Sequence, residues 1–487
     1  MKAACSEILA ALNPAISGND ISLPSSVACD SRKLQPGGIF IAVPGTRSDG
    51  HDFLPEVMNR AAAIVHSRPL TVRVPAHVTC YRVQDSAAAA ALLFRAQQGN
   101  PDLDLTLLGV TGTNGKTTTA FLLEHLFSDR GCGLLSTVET RDGIRNMPAT
   151  HTTPDAEHFY ALLAEMKKNH LQYAAMELSS HALHQNRVYG AAFQTAIFTN
   201  LTGDHLDYHK DMEQYYQAKK RFFTQLLAPE GAAIVNTGDP AGRRLAQELE
   251  QTRKVITFGT APDAVWQIQN LQCSCSGSSF DIVSRSCRQH IRTNLTGRFN
   301  ALNLTGAILA AREHDLDWDS ICRKLQTPVC VPGRMQFIHA PGGAAFVIDY
   351  AHTDDALKNV LAALRPLVSG RLICVFGAGG DRDQSKRPRM GLAAGAADHL
   401  IVTSDNPRSE APEEIIRQIV SGIPAGVSCE TEPDRGKAIT RAVEIASAGD
   451  VVLIAGKGHE NYQEIRGVRH PFSDKLFLEQ VLERIKS

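Results

Sequence analysis

The chain has no excess of charge of either sign: Lys+Arg total 50 against Asp+Glu 51, a formal charge of −1. Such a balance supplies no global field to hold nucleic acid or an anionic membrane, so any phosphate it binds has to be held locally. No apolar stretch approaches the ~20 residues of a membrane-spanning helix. The opening run Met1 to Leu9 is broken by Ser6 and Glu7, which suits an amphipathic helix rather than a signal peptide. Metal-type cysteine spacing is missing as well. Cys273 and Cys275 are the closest pair among 11 cysteines, and no second close pair or histidine cluster completes them. With no secretory signal these read as reduced thiols, so a cytoplasmic protein is expected, without nucleic-acid or membrane-inserted partners. There is no internal repeat or low-complexity tract, and Gly377-Ala378-Gly379-Gly380 lacks the G-x-G-x-x-G spacing of a dinucleotide fingerprint.

What is present is a chain too long for one core, 487 residues, with two to four domains as the natural expectation. Three sections separate. Residues 1–84 mix short apolar runs, such as 38–43, with turn signals at Pro44-Gly45 and Asp49-Gly50, and read as a small α/β domain. Residues 85–331 open with an Ala-rich helix over 86–98, capped by Asp85 or Ser86 and closed by Gly99-Asn100-Pro101. Strand-like runs come next at 105–110, 173–177 and 195–199, with helical patterns between them, which predicts a parallel sheet covered on both faces. Pro328, Pro332 and Gly333 mark a linker into residues 332–487, where strand-like runs at 345–349, 372–376, 399–403 and 451–455 predict a Rossmann-like doubly wound sheet. The expected fold is α/β in three domains around a central P-loop sheet.

Gly112-Thr113-Asn114-Gly115-Lys116-Thr117 follows a strand and opens a helix, the context that a phosphate-binding loop requires. Glycines let backbone N–H groups crowd round phosphates, and the helix N-terminus adds partial positive charge. Lys116 neutralises phosphate charge and the Thr117 hydroxyl ligates Mg²⁺. The strict pattern wants a glycine where Val110 stands, so this is a variant loop.

The run Thr111-Gly112-Thr113-Asn114-Gly115-Lys116-Thr117-Thr118 resembles the ATP loop of the Mur ligases, which share it with folylpolyglutamate synthetases, and the likeness runs nearly the whole chain. It implies ATP and Mg²⁺ as cofactors and gives roles to residues that are ambiguous alone. On chemistry, Glu177 at a strand end and Thr117 suit Mg²⁺ beside ATP. By themselves, His205 and His209 read as capping or core histidines, and Lys219-Lys220-Arg221 as a solvated basic face. The resemblance makes His205 a metal ligand and Lys219 a lysine carried as a carbamate, which forms only from a neutral amine; His209 stays open. It also implies nucleotide-base contacts at Asn300 and Asn303, which otherwise read as helix-capping residues. Arg334 and His352 belong, by the same likeness, to a C-terminal domain that swings onto ATP, with Arg334 stabilising charge on the γ-phosphate. The family usually has proline after Ala351-His352-Thr353, and Asp354 stands there instead.

Asp405-Asn406-Pro407-Arg408 resembles the signature that separates diaminopimelate-adding from lysine-adding members. Asn406-Pro407 alone fits a strand-to-helix turn, which leaves Arg408 unexplained. Arg408 and Arg382 offer planar donors to a distal carboxylate, and Glu460 with the Gly456 carbonyl suits a distal ammonium. Lysine would leave those arginines unpaired, a penalty that discriminates strongly. For a UDP-linked muramoyl dipeptide, the likeness points to Ser31, Thr46, Arg47, Thr152, Thr153, Ser179, Gln185 and Arg187. The implied chemistry is ligation of a diamino acid through an acyl phosphate, by a monomer. Lys116, Lys219, His205 and Arg334 are the expected catalytic groups. A lysine-adding or folylpolyglutamate-type ligase and a non-catalytic ATP-gated binding protein are the alternatives.

Overall fold

The structure, a computed structural model, describes residues 3–45, 48–340 and 342–486. The aliphatic strand Thr106–Thr111 is buried from Leu107 onward, as a parallel strand covered on both faces must be. It sits in the middle of an eleven-stranded sheet, with Phe193–Phe198 and Tyr173–Glu177 parallel on either side. Register sets Glu177 opposite Val110 and Phe198 opposite Thr111. Three carboxyl ends therefore meet at one sheet edge, where α/β proteins collect ligands. Beyond the parallel strands, Gly277–Val283 and Arg288–Thr293 extend one side antiparallel, and Glu139–Arg141 and Asn146–Pro148 the other. The sheet is thus mixed at its margins, where strands Trp266–Ser274 and Arg288–Thr293 alternate more and less exposed residues in place of a continuous apolar run.

The first sheet has five strands in the order Ala15–Ser17, Thr79–Arg82, Ala61–His66, Gly38–Ala42, Val27–Ala28. Helix Ser86–Gln97 starts where the Asp85 carboxylate accepts the Ala88 N–H at 2.9 Å. Its Ala89, Leu93 and Phe94 share one buried cluster with Ile39 and Val65 of the first sheet and with Phe159 and Leu163 of helix Ala156–Lys168. This helix joins the first sheet to the central section.

The C-terminal sheet runs Gln336–His339, Ala345–Asp349, Val451–Ala455, Leu372–Phe376, His399–Thr403, Ser428–Glu432. Helices Asp354–Leu364 and Lys386–Ala394 cover one face, and Arg435–Ile445 and Asp474–Lys486 the other, each through its own apolar cluster. The four strands expected from aliphatic runs form the centre. The edge strand Ser428–Glu432 is mostly exposed and polar and Gln336–His339 has only two apolar residues, which hides both from a search for apolar runs. Among the described residues no helix is long and apolar enough to cross a membrane.

Gly109 lies in the central strand where a Cβ would run into the Phe222 ring and approach Phe193 at 3.0 Å. Overpacking of this kind costs about 1–3 kcal/mol. Gly109→Ala is expected to lower the melting temperature by a few degrees, and an unchanged midpoint in parallel thermal melts would show that the two rings yield.

Candidate active site

The loop after Thr111 turns on Gly112 (φ 151°) and Gly115 (φ 87°), conformations that a side chain would strain. A Cβ on Gly115 would also overlap Asn303 Oδ1. The neighbouring strand end pins the loop: Asn114 N–H donates to Asn200 Oδ1 (2.9 Å), and the Asn114 carbonyl accepts from Thr199 Oγ1 (2.6 Å). Val110 still belongs to the strand, pairing with Glu177 and Ile197, so the loop is shorter than the strict pattern. Lys116 opens helix Lys116–Leu126 and folds its ammonium back onto the carbonyls of Gly112 (2.9 Å) and Thr113 (2.7 Å). Burial holds its pKa below the ordinary lysine value, with Glu177 and Asp204 opposing.

Glu177 ends its strand almost fully buried. Its carboxylate accepts both donors of Thr137, the N–H at 2.7 Å and the hydroxyl at 3.1 Å. From helix Met212–Arg221, Lys219 Nζ donates to the same Gly112 carbonyl at 2.7 Å and lies 4.6 Å from the Tyr215 ring centre. Burial first, then Lys116, hold Lys219 well below the ordinary lysine value. His205 adopts φ 55° at the head of the short helix Leu206–His209. Desolvation at the cleft wall pushes its pKa down to about 4 against the pull of Asp204, though 46% of its side chain remains exposed. His209 is a core histidine, with Nε2 2.9 Å from Ser180 Oγ and its ring stacked on Tyr215. Among the described residues no three His, Cys, Asp or Glu side chains gather into a self-sufficient cation cage. The hard oxygens of Glu177 and Thr117, the His205 imidazole and Lys219, were it a carbamate, would suit Mg²⁺, which takes few protein ligands and completes its shell with phosphate and water.

These groups line a cavity of about 720 Å³ that runs from the loop residues Thr113 to Thr118 past Thr152, Glu177, Ser179, His205 and Lys219 to Asn300 and Asn303. Asn300 and Asn303 lie on the first turns of helix Arg298–Glu313, whose N-cap is Gly297. Asn303 Nδ2 donates to Asn300 Oδ1 at 3.3 Å and Asn300 Nδ2 to the Thr296 carbonyl at 2.9 Å. The far wall is C-terminal. Arg334 Nη2 donates to Thr117 Oγ1 at 3.2 Å, with the guanidinium carbon 4.6 Å from the Tyr350 ring centre. Buried Asp349 fixes this segment by accepting the N–H groups of Met335 and Ala351, both at 2.8 Å. His352 lines the cavity and donates its Nδ1–H to the Tyr350 carbonyl, 2.8 Å away. Thr353 caps helix Asp354–Leu364, so Asp354 occupies the first helical position, which also suits proline, and the turn survives the exchange.

Contacts that the sequence did not disclose dock this wall. Asp355 accepts from Asn114 Nδ2 (3.2 Å) and Thr202 Oγ1 (3.0 Å), and Lys386 pairs with Asp204 at 3.1 Å. Burial works against the Asp204 charge, yet His205, Lys386 and His352 pull its pKa down to about 2. Thr137, Asp355 and Lys386 lie in no motif, and only their spatial neighbours reveal them.

The amino-acid residues form a separate cluster that does not line this cavity. Asn406 Nδ2 donates to Glu460 Oε2 (2.9 Å), Lys457 Nζ to Asn406 Oδ1 (3.1 Å) and to Glu460 Oε2 (2.8 Å). Arg408, in the left-handed region at φ 51°, donates Nη1 to the Gly380 carbonyl at 2.6 Å. Arg382 is exposed on the adjoining turn, Asp405 and Pro407 are buried, and Gly456 leaves room for the Asp405 carboxylate. Thr152, Thr153, Ser179, Gln185 and Arg187 gather round the end of the Glu177 strand. Thr152 Oγ1 lies 3.1 Å from Thr137 Oγ1, Thr153 Oγ1 donates to the Glu177 carbonyl (2.7 Å), and Arg187 donates to the Thr153 carbonyl (2.9 Å) and Gln185 Oε1 (2.7 Å). Ser31 sits apart in the first section, donating to Glu56 at 3.3 Å. Thr46 and Arg47 lie outside the described residues.

Groups that orient a metal ligand set its affinity within about 10–100-fold. Thr137→Val keeps the backbone donor to Glu177 and loses the hydroxyl. It is expected to raise the Mg²⁺ concentration for half-maximal ATP turnover by about 10–100-fold, and an unshifted Mg²⁺ titration would rule the hydroxyl out as an orienting group.

Three family descriptions match in series: Mur ligase family, catalytic domain, over residues 25–97; Mur ligase middle domain over 110–311; and Mur ligase, glutamate ligase domain, over 333–458. The UDP-N-acetylmuramoyl-L-alanyl-D-glutamate--2,6-diaminopimelate ligase of Gloeobacter violaceus is 43% identical over 469 residues, 95% of this chain and 94% of that protein. Its counterpart from Aquifex aeolicus is 41% identical over 460 residues, 94% of this chain and 93% of that one. A solved structure of a ligase of the same name superposes with a TM-score of 0.71 at 33% identity, covering 100% of both chains. The MurF ligase from Thermotoga maritima, solved in complex with ADP, shares the fold at a TM-score of 0.63 and 20% identity, over 94% of this chain and 98% of that one. With its phosphate loop, paired lysines and docked C-terminal arginine, and with relatives of this identity along nearly its whole length, the chain belongs to the Mur ligase family.

Proposed function

We propose that this chain is the ATP-dependent ligase that joins meso-2,6-diaminopimelate to the D-glutamyl γ-carboxylate of UDP-MurNAc-L-Ala-D-Glu, a step in making peptidoglycan precursors. The observation that carries the reading is the pair of lysines on the Gly112 carbonyl beside Glu177. They belong to a site that manages phosphate charge, and burial drives the Lys219 amine toward the neutral form, the one that takes up CO₂ as a carbamate.

The γ-carboxylate oxygen attacks the γ-phosphorus of ATP, the bond to the bridging oxygen breaks, and ADP leaves. Lys116 and Arg334, both at Thr117 and the loop, offset the charge that gathers there. Thr117, Glu177, His205 and Lys219 as its carbamate would hold Mg²⁺, which would supply positive charge to offset that of the reacting carboxylate and phosphate. A diaminopimelate amine then attacks the acyl carbon of the acyl phosphate. The tetrahedral intermediate expels phosphate, and the amine proton is released to form the amide. The docked wall of Arg334, His352 and Asp355 keeps water from an intermediate that hydrolyses readily. Arg408 and Arg382 meet the distal carboxylate and Glu460 the distal ammonium, which L-lysine satisfies only by half. ATP and a nucleotide sugar are cytoplasmic metabolites, in keeping with 11 cysteines that are all free.

Phosphate release from ATP with UDP-MurNAc-L-Ala-D-Glu is expected with meso-diaminopimelate, with kcat/KM for L-lysine lower by about 10⁴-fold. A preference for lysine would sink the role of Arg408, and no release with either would sink the ligase. Lys219→Ala should lower kcat by about 10²–10³-fold while leaving KM for the diamino acid unchanged, as steady-state assays would read.

A further inference from the structure

Helix Arg435–Ile445 covers one face of the C-terminal sheet, and its first side chain is entirely buried. The Arg435 guanidinium grips Asp474 with two bonds of 2.7 Å, from Nε and Nη2. Its remaining reach goes to two backbone carbonyls: Nη2 donates to Ala455 at 2.9 Å and Nη1 to Ser404 at 3.3 Å. Ala455 ends strand Val451–Ala455, and Ser404 directly follows strand His399–Thr403. These strands are not neighbours, because Leu372–Phe376 lies between them. No ladder hydrogen bond joins the pair, and the guanidinium spans the gap.

The loops that leave the two carbonyls give the span its meaning. Ser404 leads into Asp405, Asn406 and Arg408, and Ala455 into Gly456, Lys457 and Glu460. The two loops close on each other through the Asn406–Glu460 and Lys457–Asn406 bonds and the Lys457–Asp405 contact at 3.8 Å. Burying an ion pair such as Arg435–Asp474 adds little stability over an apolar filling of the same volume. Its directed bonds do what an apolar filling cannot, which is to hold two separate strand ends at a set spacing.

Resting on the diaminopimelate reading above, we propose that Arg435 is a positioning residue for the incoming diamino acid. By fixing the 405–408 loop against the 456–460 loop, it sets the distance between the groups that meet the distal carboxylate and those that meet the distal ammonium. It touches no substrate and acts through Ser404 and Ala455.

The test uses the full-length protein, the single variant Arg435→Lys and the paired variant Arg435→Met with Asp474→Leu. Arg435→Lys keeps the charge without the fork that reaches both carbonyls, and the pair removes both charges while filling the space. For both, kcat/KM for meso-diaminopimelate is expected to fall on the order of 10²-fold. The loss should fall on KM for the diamino acid, with selectivity over L-lysine shrinking in parallel and KM for ATP unmoved, even where the melting temperature falls. Unchanged KM and selectivity in both variants would overturn the proposal. So would a loss shared equally by every substrate, ATP included, which marks a structural role only. Should the paired variant not fold, Arg435→Lys decides. Failure of the underlying reading shows elsewhere, in the parent: release with lysine alone corrects the amino acid, and the same variants are then read on KM for lysine, whereas a parent that releases no phosphate takes both conclusions down.

Discussion

Lys116 and Lys219 aim their amines at one acceptor, the carbonyl of Gly112. Two ammonium charges on one acceptor repel each other, and burial adds to the cost. The pair relieves this by letting the deeper amine go neutral, the direction in which both burial and Lys116 drive Lys219. The loop that carries that carbonyl therefore has to be rigid. Gly112 makes this possible, since a Cβ there would overlap Thr199 Oγ1, and the strand end at Thr199 and Asn200 holds the loop from the other side.

From that carbonyl the structure builds outward along the sheet edge. Parallel register brings Glu177 beside the loop, Thr137 aligns its carboxylate, and the Thr153 hydroxyl ties the polar cluster of Arg187 and Gln185 to the same strand end. The C-terminal section completes the site from a different core. Its three long reaches, Arg334 to Thr117, Asp355 to Asn114 and Lys386 to Asp204, are all polar. Polar contacts of this kind are individually modest and can exchange with water, which suits a wall that must open for substrates and close for chemistry.

Legibility in the sequence followed physical type. Val451–Ala455, Leu372–Phe376 and His399–Thr403 declare themselves because a strand buried on both faces has to be continuously apolar. The edge strand Ser428–Glu432 does not, because one row of its residues faces water. Phosphate binding was readable from glycines, lysine and threonine in fixed order. Lys219 was not, since burial gives it its chemistry and a local segment does not reveal burial, and neither was His205, whose neighbours come from other segments. Only likeness to a family assigned them; for Lys219 the structure supplies the cause, burial that lowers its pKa.

By itself, the sequence determined the local elements and the groups they carry: three α/β sections, a phosphate loop with its lysine, and an Asp-Asn-Pro-Arg turn. Periodicity and turn chemistry act over a few residues, so a linear reading reaches them. Tertiary structure alone decided which groups meet: Thr137 with Glu177, Asp355 with Asn114, and Arg435 with both Ser404 and Ala455. Such pairings arise from sheet order and from packing between sections. The desolvation that sets the lysine and histidine charges exists only once those sections have closed around them.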